Sequence, residues 1–93
     1  MALVEVPYEL RARDHVDRIF AKMRKKDRHG LEMVYKKLEE VSRDPKKFKP
    51  LNAPMQNLRR VHVLGSFVIT YSIDKSTHSV WIEDFAHHDE IYE

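Results

Sequence analysis

Arg59-Arg-Val-His-Val-Leu-Gly-Ser-Phe-Val-Ile-Thr-Tyr71 is the stretch around which the rest of the chain must be arranged. Val61 and Val63 alternate with Arg60 and His62, so a strand here has one apolar face and one face carrying a guanidinium and an imidazole. After a short turn, Phe67-Val-Ile-Thr-Tyr-Ser-Ile73 is rich in β-branched and aromatic residues and reads as a second strand. Asp74-Lys-Ser-Thr77 supplies a turn, and His78-Ser-Val-Trp-Ile-Glu-Asp-Phe85 returns as a third strand in which Val80 and Ile82, with Phe85 beyond them, carry the alternation. A polar tail, His87-His-Asp-Glu-Ile-Tyr92, then sets His88 four residues before Tyr92. His62 and His88, far apart in sequence, are expected to meet at one end of this meander.

Working upstream, Val16, Ile19, Phe20 and Met23 fall at i, i+3, i+4 and i+7, the period of an amphipathic helix. That helix is expected to start near Tyr8–Arg11 and to end in Lys25-Lys-Asp-Arg-His-Gly30. Leu31, Val34, Leu38 and Val41 mark a second helix, with Tyr35 beside the same face and Asp44-Pro45 as its stop. The two are expected to form an antiparallel hairpin turning at Gly30. Ala2-Leu-Val-Glu-Val6 reads as a short first strand halted by Pro7. Residues 45–58 hold three of the four prolines and no clear period, so they form a loop too short to link domains. The expected fold is α+β, in the order β-α-α-β-β-β: a helical hairpin packed on a small, mostly antiparallel twisted sheet, as one domain spanning 1–93.

Composition narrows the function classes. A chain of 93 residues is near the lower end of what one core stabilises. It buries roughly 60–65% of its unfolded surface, so a partner would help to hold it together. The absence of cysteine removes disulfides, thiolate zinc sites and cysteine nucleophiles. With no apolar run near the roughly 20 residues that span a bilayer and no leader-like start, a cytoplasmic protein is expected. The net charge of +2 hides an asymmetry: residues 1–60 carry 16 Lys/Arg against 9 Asp/Glu, and residues 61–93 carry 1 against 6. A basic helical half beside an acidic sheet half gives a dipolar molecule with one surface attractive to phosphate. Ordinary solvation of helical Lys and Arg accounts for the same counts.

The meander carries a family resemblance. Arg-Val-His-Val at 60–63, a strand ending in Tyr71, a further strand and His-x-x-x-Tyr at 88–92 resemble the RelE/ParE superfamily of small toxins, the toxin halves of toxin–antitoxin pairs. The likeness covers most of the chain, and two helices before a three-stranded meander is also the family order. Where RelE has a strand arginine this chain has Val68, and where its tail has arginine this chain has His88. The YafQ-like branch is the nearer match: His62, Phe67, His88 and Tyr92 agree with its pattern, while Ser66 stands where that branch has Asp. The resemblance implies an mRNA endonuclease acting on ribosome-bound message, led by histidine, with an antitoxin that folds across the hairpin or sheet.

Such chemistry needs a base to deprotonate a 2′-hydroxyl, an acid to protonate the leaving 5′-oxygen, and positive charge against the transition state. His62 and His88 suit the proton roles, and Arg60, two residues before His62 on the same strand face, suits the phosphate. Tyr92 either stacks on a base or packs as a terminal anchor. Phe67 belongs to packing first and to the pocket rim second. Ser66 is the branch's departure at the site. Lys47 and Lys49, with Lys46, either grip RNA through salt-sensitive contacts or are simply solvated. His15, His29, His78 and His87 are expected at the surface. No metal or other cofactor is expected, because His87 and His88 point apart on an extended chain and no second ligand cluster exists. Two rival classes stand beside the ribosome-dependent nuclease: a ParE-like gyrase inhibitor needing no acid–base pair, and a decayed toxin that retains only antitoxin binding.

Overall fold

The computed structural model describes residues 6–91, with Glu90 and Ile91 described through their backbone alone. Four strands and two long helices form the body: β1 (Glu9–Ala12), α1 (Asp14–Lys26), α2 (Arg28–Arg43), β2 (Arg59–Val63), β3 (Phe67–Asp74) and β4 (Ser79–His87). A single turn, α3 (His88–Ile91), follows β4. The sheet order is β1-β4-β3-β2. Strands β2, β3 and β4 form the expected antiparallel meander, and β1 pairs parallel with β4. The fold is therefore the mixed α+β architecture expected.

Two boundaries differ from the expectation. The strand proposed at Ala2–Val6 lies outside the described residues except for Val6, which is exposed and not in a strand. The described first strand is instead Glu9–Ala12, where the first helix was expected to begin. Glu9-Leu-Arg-Ala has no strand signature of its own. Its extended form is imposed by register with Ser79, Val80, Trp81 and Ile82, and tertiary pairing outweighs a weak local preference. Arg13 stays extended (φ −65°, ψ 155°), and the helix starts at Asp14.

The second difference is the hairpin turn. It falls at Asp27, and Gly30 lies within the first turn of α2. The Asp27 carboxylate accepts the Gly30 N–H at 3.0 Å, capping one of the otherwise unpaired amides of the helix start. A Cβ at Gly30 would collide with that same carboxylate. The close fit against the cap, and not a left-handed bend, is what favours glycine here. Asp44 ends α2 as expected, its N–H returning to the Glu40 carbonyl.

Both helices cover one face of the sheet. Val16 and Phe20 of α1 and Leu31, Val34, Leu38 and Val41 of α2 meet Val61, Val63, Ile69, Tyr71, Val80, Ile82 and Phe85 in one cluster. Each such side chain contributes about 1.5–3 kcal/mol on burial. The Tyr71 hydroxyl, buried with its ring, donates to the Pro45 carbonyl at 2.6 Å, tying the loop to the core. Glu83 is an extra residue in β4: Thr70 pairs with Asp84 while Tyr71 pairs with Ile82. The bulge lets Glu83 lie on the side away from the helices, where it meets Arg13 and Ser72.

Candidate functional site

Strand β2 is an edge strand, and alternation divides its side chains cleanly. Val61 and Val63 enter the core, while His62 is exposed on the opposite face and Arg60 is half-buried two residues away. His62 pairs with Val68 and Val68 with Ala86, so these three form one row across β2, β3 and β4. His88 follows Ala86 by two residues. Its N–H donates to the Ser66 carbonyl at 2.7 Å, which anchors the end of β4 to the β2–β3 turn. The result brings the two imidazoles together, with centroids 5.9 Å apart and ring planes at 29°. Val68 and Ala86, being short, leave room on the row for the rings to approach.

A groove of about 400 Å³ opens beside His62, lined by Lys37, Phe48, Lys49, Arg60, Val61 and His62. A second, of about 360 Å³, continues on the other side of His62 past Met33, Lys36, Lys37, Glu40, Leu64 and Gly65. The Arg60 N–H donates to the Lys49 carbonyl at 3.3 Å, so the loop lysine rides beside the strand arginine. Lys37 donates to Glu40 at 3.3 Å and Lys47 donates to it at 2.8 Å. Those bonds, Lys47 first, hold the Glu40 carboxyl below the usual range. Chemically, the site offers two adjacent proton-transfer groups and a row of cations open to solvent, a setting suited to an anionic diester.

Not every residue singled out in the sequence joins this site. Phe67 stands opposite Val63 and therefore faces the helices; its ring stacks on Phe85 at 5.2 Å and meets His87 edge-on at 5.6 Å. Ser66 is exposed and enters the geometry through its carbonyl. Lys47 turns toward Glu40, in a groove with Lys36, Glu39, Arg43 and Asp44 rather than with His62. Tyr92 lies outside the described residues. Val68, standing where RelE has an arginine, is fully buried and supplies no charge. His87 keeps 43% of its side chain exposed while meeting Phe67 edge-on, and His78, exposed as expected, stacks on Tyr8 at 3.8 Å. Among the described residues no group of three or more His, Cys, Asp or Glu is placed to hold a metal ion.

The residue that sequence reasoning missed is Lys37. It follows Val34 by three and precedes Val41 by four, so it flanks the buried stripe of α2 and must emerge at the lip between helix and sheet. That spacing is its signal in the sequence.

The two-helix, four-stranded α+β scaffold is shared with known proteins. No family model matches the chain. A protein of Methanocaldococcus jannaschii provisionally named toxin RelE4 is 36% identical over 85 residues, covering 91% of this chain and 90% of that protein. A Methanosarcina mazei protein of unassigned function is 42% identical over 85 residues, covering 91% and 99%. Among solved structures, the RelBE2 toxin–antitoxin complex of Mycobacterium tuberculosis matches with a TM-score of 0.72 and 25% identity, over 88% of this chain and 92% of the matched one. The chain belongs to the RelE/ParE superfamily of toxins.

Proposed function

We propose that this protein is the toxin of a toxin–antitoxin pair and cuts ribosome-bound mRNA through a histidine acid–base pair. The observation that carries the reading is the 5.9 Å approach of His62 and His88 beside Arg60. Hydrogen bonds of about 2.7–3.2 Å from each ring would reach the attacking and leaving oxygens of one phosphodiester. The 2′-oxygen attacks phosphorus as one imidazole takes its proton. The P–O5′ bond breaks as the other imidazole, protonated, delivers a proton to the departing oxygen. A cyclic phosphate and a 5′-hydroxyl end result, and Arg60 offsets the charge that builds on the non-bridging oxygens. Lys37 and Lys49 belong to the same groove and would hold the flanking phosphates.

The open groove supports dependence on the ribosome. It leaves the imidazoles exposed and grips little of a flexible strand, so orientation must come from a message already held in place. Work on the ribosome would put the protein in the cytoplasm, and no helix among the described residues is long and apolar enough to cross a membrane. A cognate antitoxin is the expected partner, by analogy with the RelBE2 complex.

The test is cleavage of a defined message by the purified protein, with and without programmed ribosomes. Phased cuts on the ribosome that disappear in His62→Ala and in His88→Ala support the reading. Equal cutting of free RNA contradicts ribosome dependence, and cuts that survive both substitutions contradict histidine catalysis.

A further inference from the structure

Arg59 opens β2 but, by alternation with Arg60 and His62, shares the helix side of the sheet with Val61 and Val63. Its guanidinium serves the loop that leaves α2: Nη1 donates to the Phe48 carbonyl at 2.6 Å and to the Lys46 carbonyl at 3.3 Å. Tyr71, directly opposite Arg59 in the β2–β3 ladder, donates to the Pro45 carbonyl at 2.6 Å. Two cross-strand neighbours thus clamp three carbonyls of the same short segment. Main-chain contacts continue the line. The Arg60 N–H donates to the Lys49 carbonyl at 3.3 Å, Pro50 forms an antiparallel bridge with Arg59, and the Leu51 N–H donates to the Leu58 carbonyl at 2.8 Å.

The loop from 44 to 58 holds no helix and no named strand, and a loop of that length inside a small domain is usually functional or disordered. This one divides in two. Residues 45–51 are pinned at each point above, with Pro45 and Leu51 buried and Phe48 half-buried, whereas residues 52–57 are exposed throughout. The pinned half is the part that reaches the site, where Phe48 and Lys49 line the groove with Lys37, Arg60 and His62. Pro45 and Leu51 already anchor the segment by burying apolar surface. The half-buried Arg59 adds direction rather than area. A guanidinium–carbonyl bond is charge-assisted and shorter than a neutral one, and here it fixes where Phe48 stands and therefore where Lys49, the next residue, projects.

We propose that Arg59 is a positioning residue for the groove at His62: it locks the Phe48–Lys49 step of the loop so that the Lys49 ammonium meets a phosphate beside the one served by Arg60. Arg59 touches no substrate and acts through Phe48 and Lys49. With the loop ordered in advance, binding of the message does not have to order it. The inference deepens the nuclease reading and rests on it.

The test combines amide hydrogen exchange with single-turnover cleavage on programmed ribosomes, for Arg59→Met, Arg59→Lys, Lys49→Ala and the double variant Arg59→Met with Lys49→Ala. Met keeps an apolar stem and removes the guanidinium. In Arg59→Met the amides of 46–51 are expected to exchange about tenfold faster, while those of α1 and β4 keep their rates. The half-saturating protein concentration is expected to rise on the order of tenfold with the maximal rate retained, and Arg59→Lys should recover part of that loss. Adding Lys49→Ala to Arg59→Met should change little further, because residues that act through one another are not additive. If Arg59→Met loosens α1 and β4 as well, the same comparisons are made with Arg59→Lys. Unchanged exchange in the loop would overturn the proposal. A fall in maximal rate at unchanged half-saturation would overturn it too, as would effects of the two substitutions that simply multiply. Absence of cutting by the unsubstituted protein defeats the nuclease reading and this role with it, whereas unchanged exchange beside intact cutting defeats the role alone, so the two failures are told apart.

Discussion

His88 is tied to Ser66 by its main chain: the His88 N–H donates to the Ser66 carbonyl across 2.7 Å. The tail histidine is thereby held at the turn that ends the strand of His62, and the two rings reach a 5.9 Å separation. Because the bond uses the carbonyl, the Ser66 hydroxyl is dispensable for it. Ser66→Ala is expected to retain cleavage and to shift stability by less than about 0.5 kcal/mol. Ser66→Pro removes the N–H that donates to the Leu64 carbonyl at 2.8 Å and distorts the perch. It is expected to lose cleavage while staying folded, as reporter-RNA cleavage and circular dichroism would show together.

Arg60 shares the strand face of His62 and lines the same groove as Lys37 and Lys49. Removing a donor aimed at developing charge costs about 10²–10³ in rate. Arg60→Ala is expected to fall by that order in single-turnover cleavage on programmed ribosomes. Arg60→Lys should recover only part of the loss, since a point charge lacks the guanidinium's two-pronged geometry. Lys37→Ala should weaken message binding more than the chemical step.

At the hairpin, a Cβ on residue 30 competes with the Asp27 carboxylate for the same space. Alanine is normally the better helix former, by about 1 kcal/mol, yet here it displaces the cap. Gly30→Ala is expected to be close to neutral, the helix-propensity gain offsetting a lost cap worth about 1 kcal/mol. Asp27→Ala, which removes the cap with no such gain at residue 30, should cost about 1 kcal/mol and lower the melting temperature by roughly 4–8 °C, and adding Gly30→Ala to it should recover part of that loss. Thermal melts of the three variants decide it.

Burial pushes the Tyr71 hydroxyl up to about 12, against a smaller opposing pull from Arg59. An unfolded tyrosine ionises near 10, so the folded state holds this proton more tightly. The stabilisation is fully present below about pH 10 and is lost as pH rises through about 12. Denaturant midpoints are expected to fall across that window. Tyr71→Phe should flatten the fall while costing about 1–3 kcal/mol at neutral pH, through the orphaned Pro45 carbonyl.

How far the sequence speaks for this fold depends on where each residue's constraint originates. The meander was legible because Val61 and Val63 alternate with Arg60 and His62, while the two strands that follow are dense in β-branched and aromatic residues. The same alternation put Arg60 with His62 and left His88 free to return to the turn. The strand at Glu9–Ala12 was not legible, since only its parallel ladder with Ser79–Ile82 makes it extended. Gly30 resembled a turn glycine because its constraint is a carboxylate three residues earlier, which shows only in three dimensions. Phe67 was drawn toward the site by resemblance, although its place opposite Val63 sends the ring to the core. Lys37 was hidden among the many charges of α2, and only its flanking of the apolar stripe distinguishes it.

The most direct test of the central claim is to map mRNA 5′ ends in a bacterial host after tightly controlled induction, beside His62→Ala and His88→Ala. The account predicts growth arrest with codon-phased cuts in a translated reporter, both abolished by either substitution. Arrest without cuts, or cuts that persist when both imidazoles are removed, would contradict it.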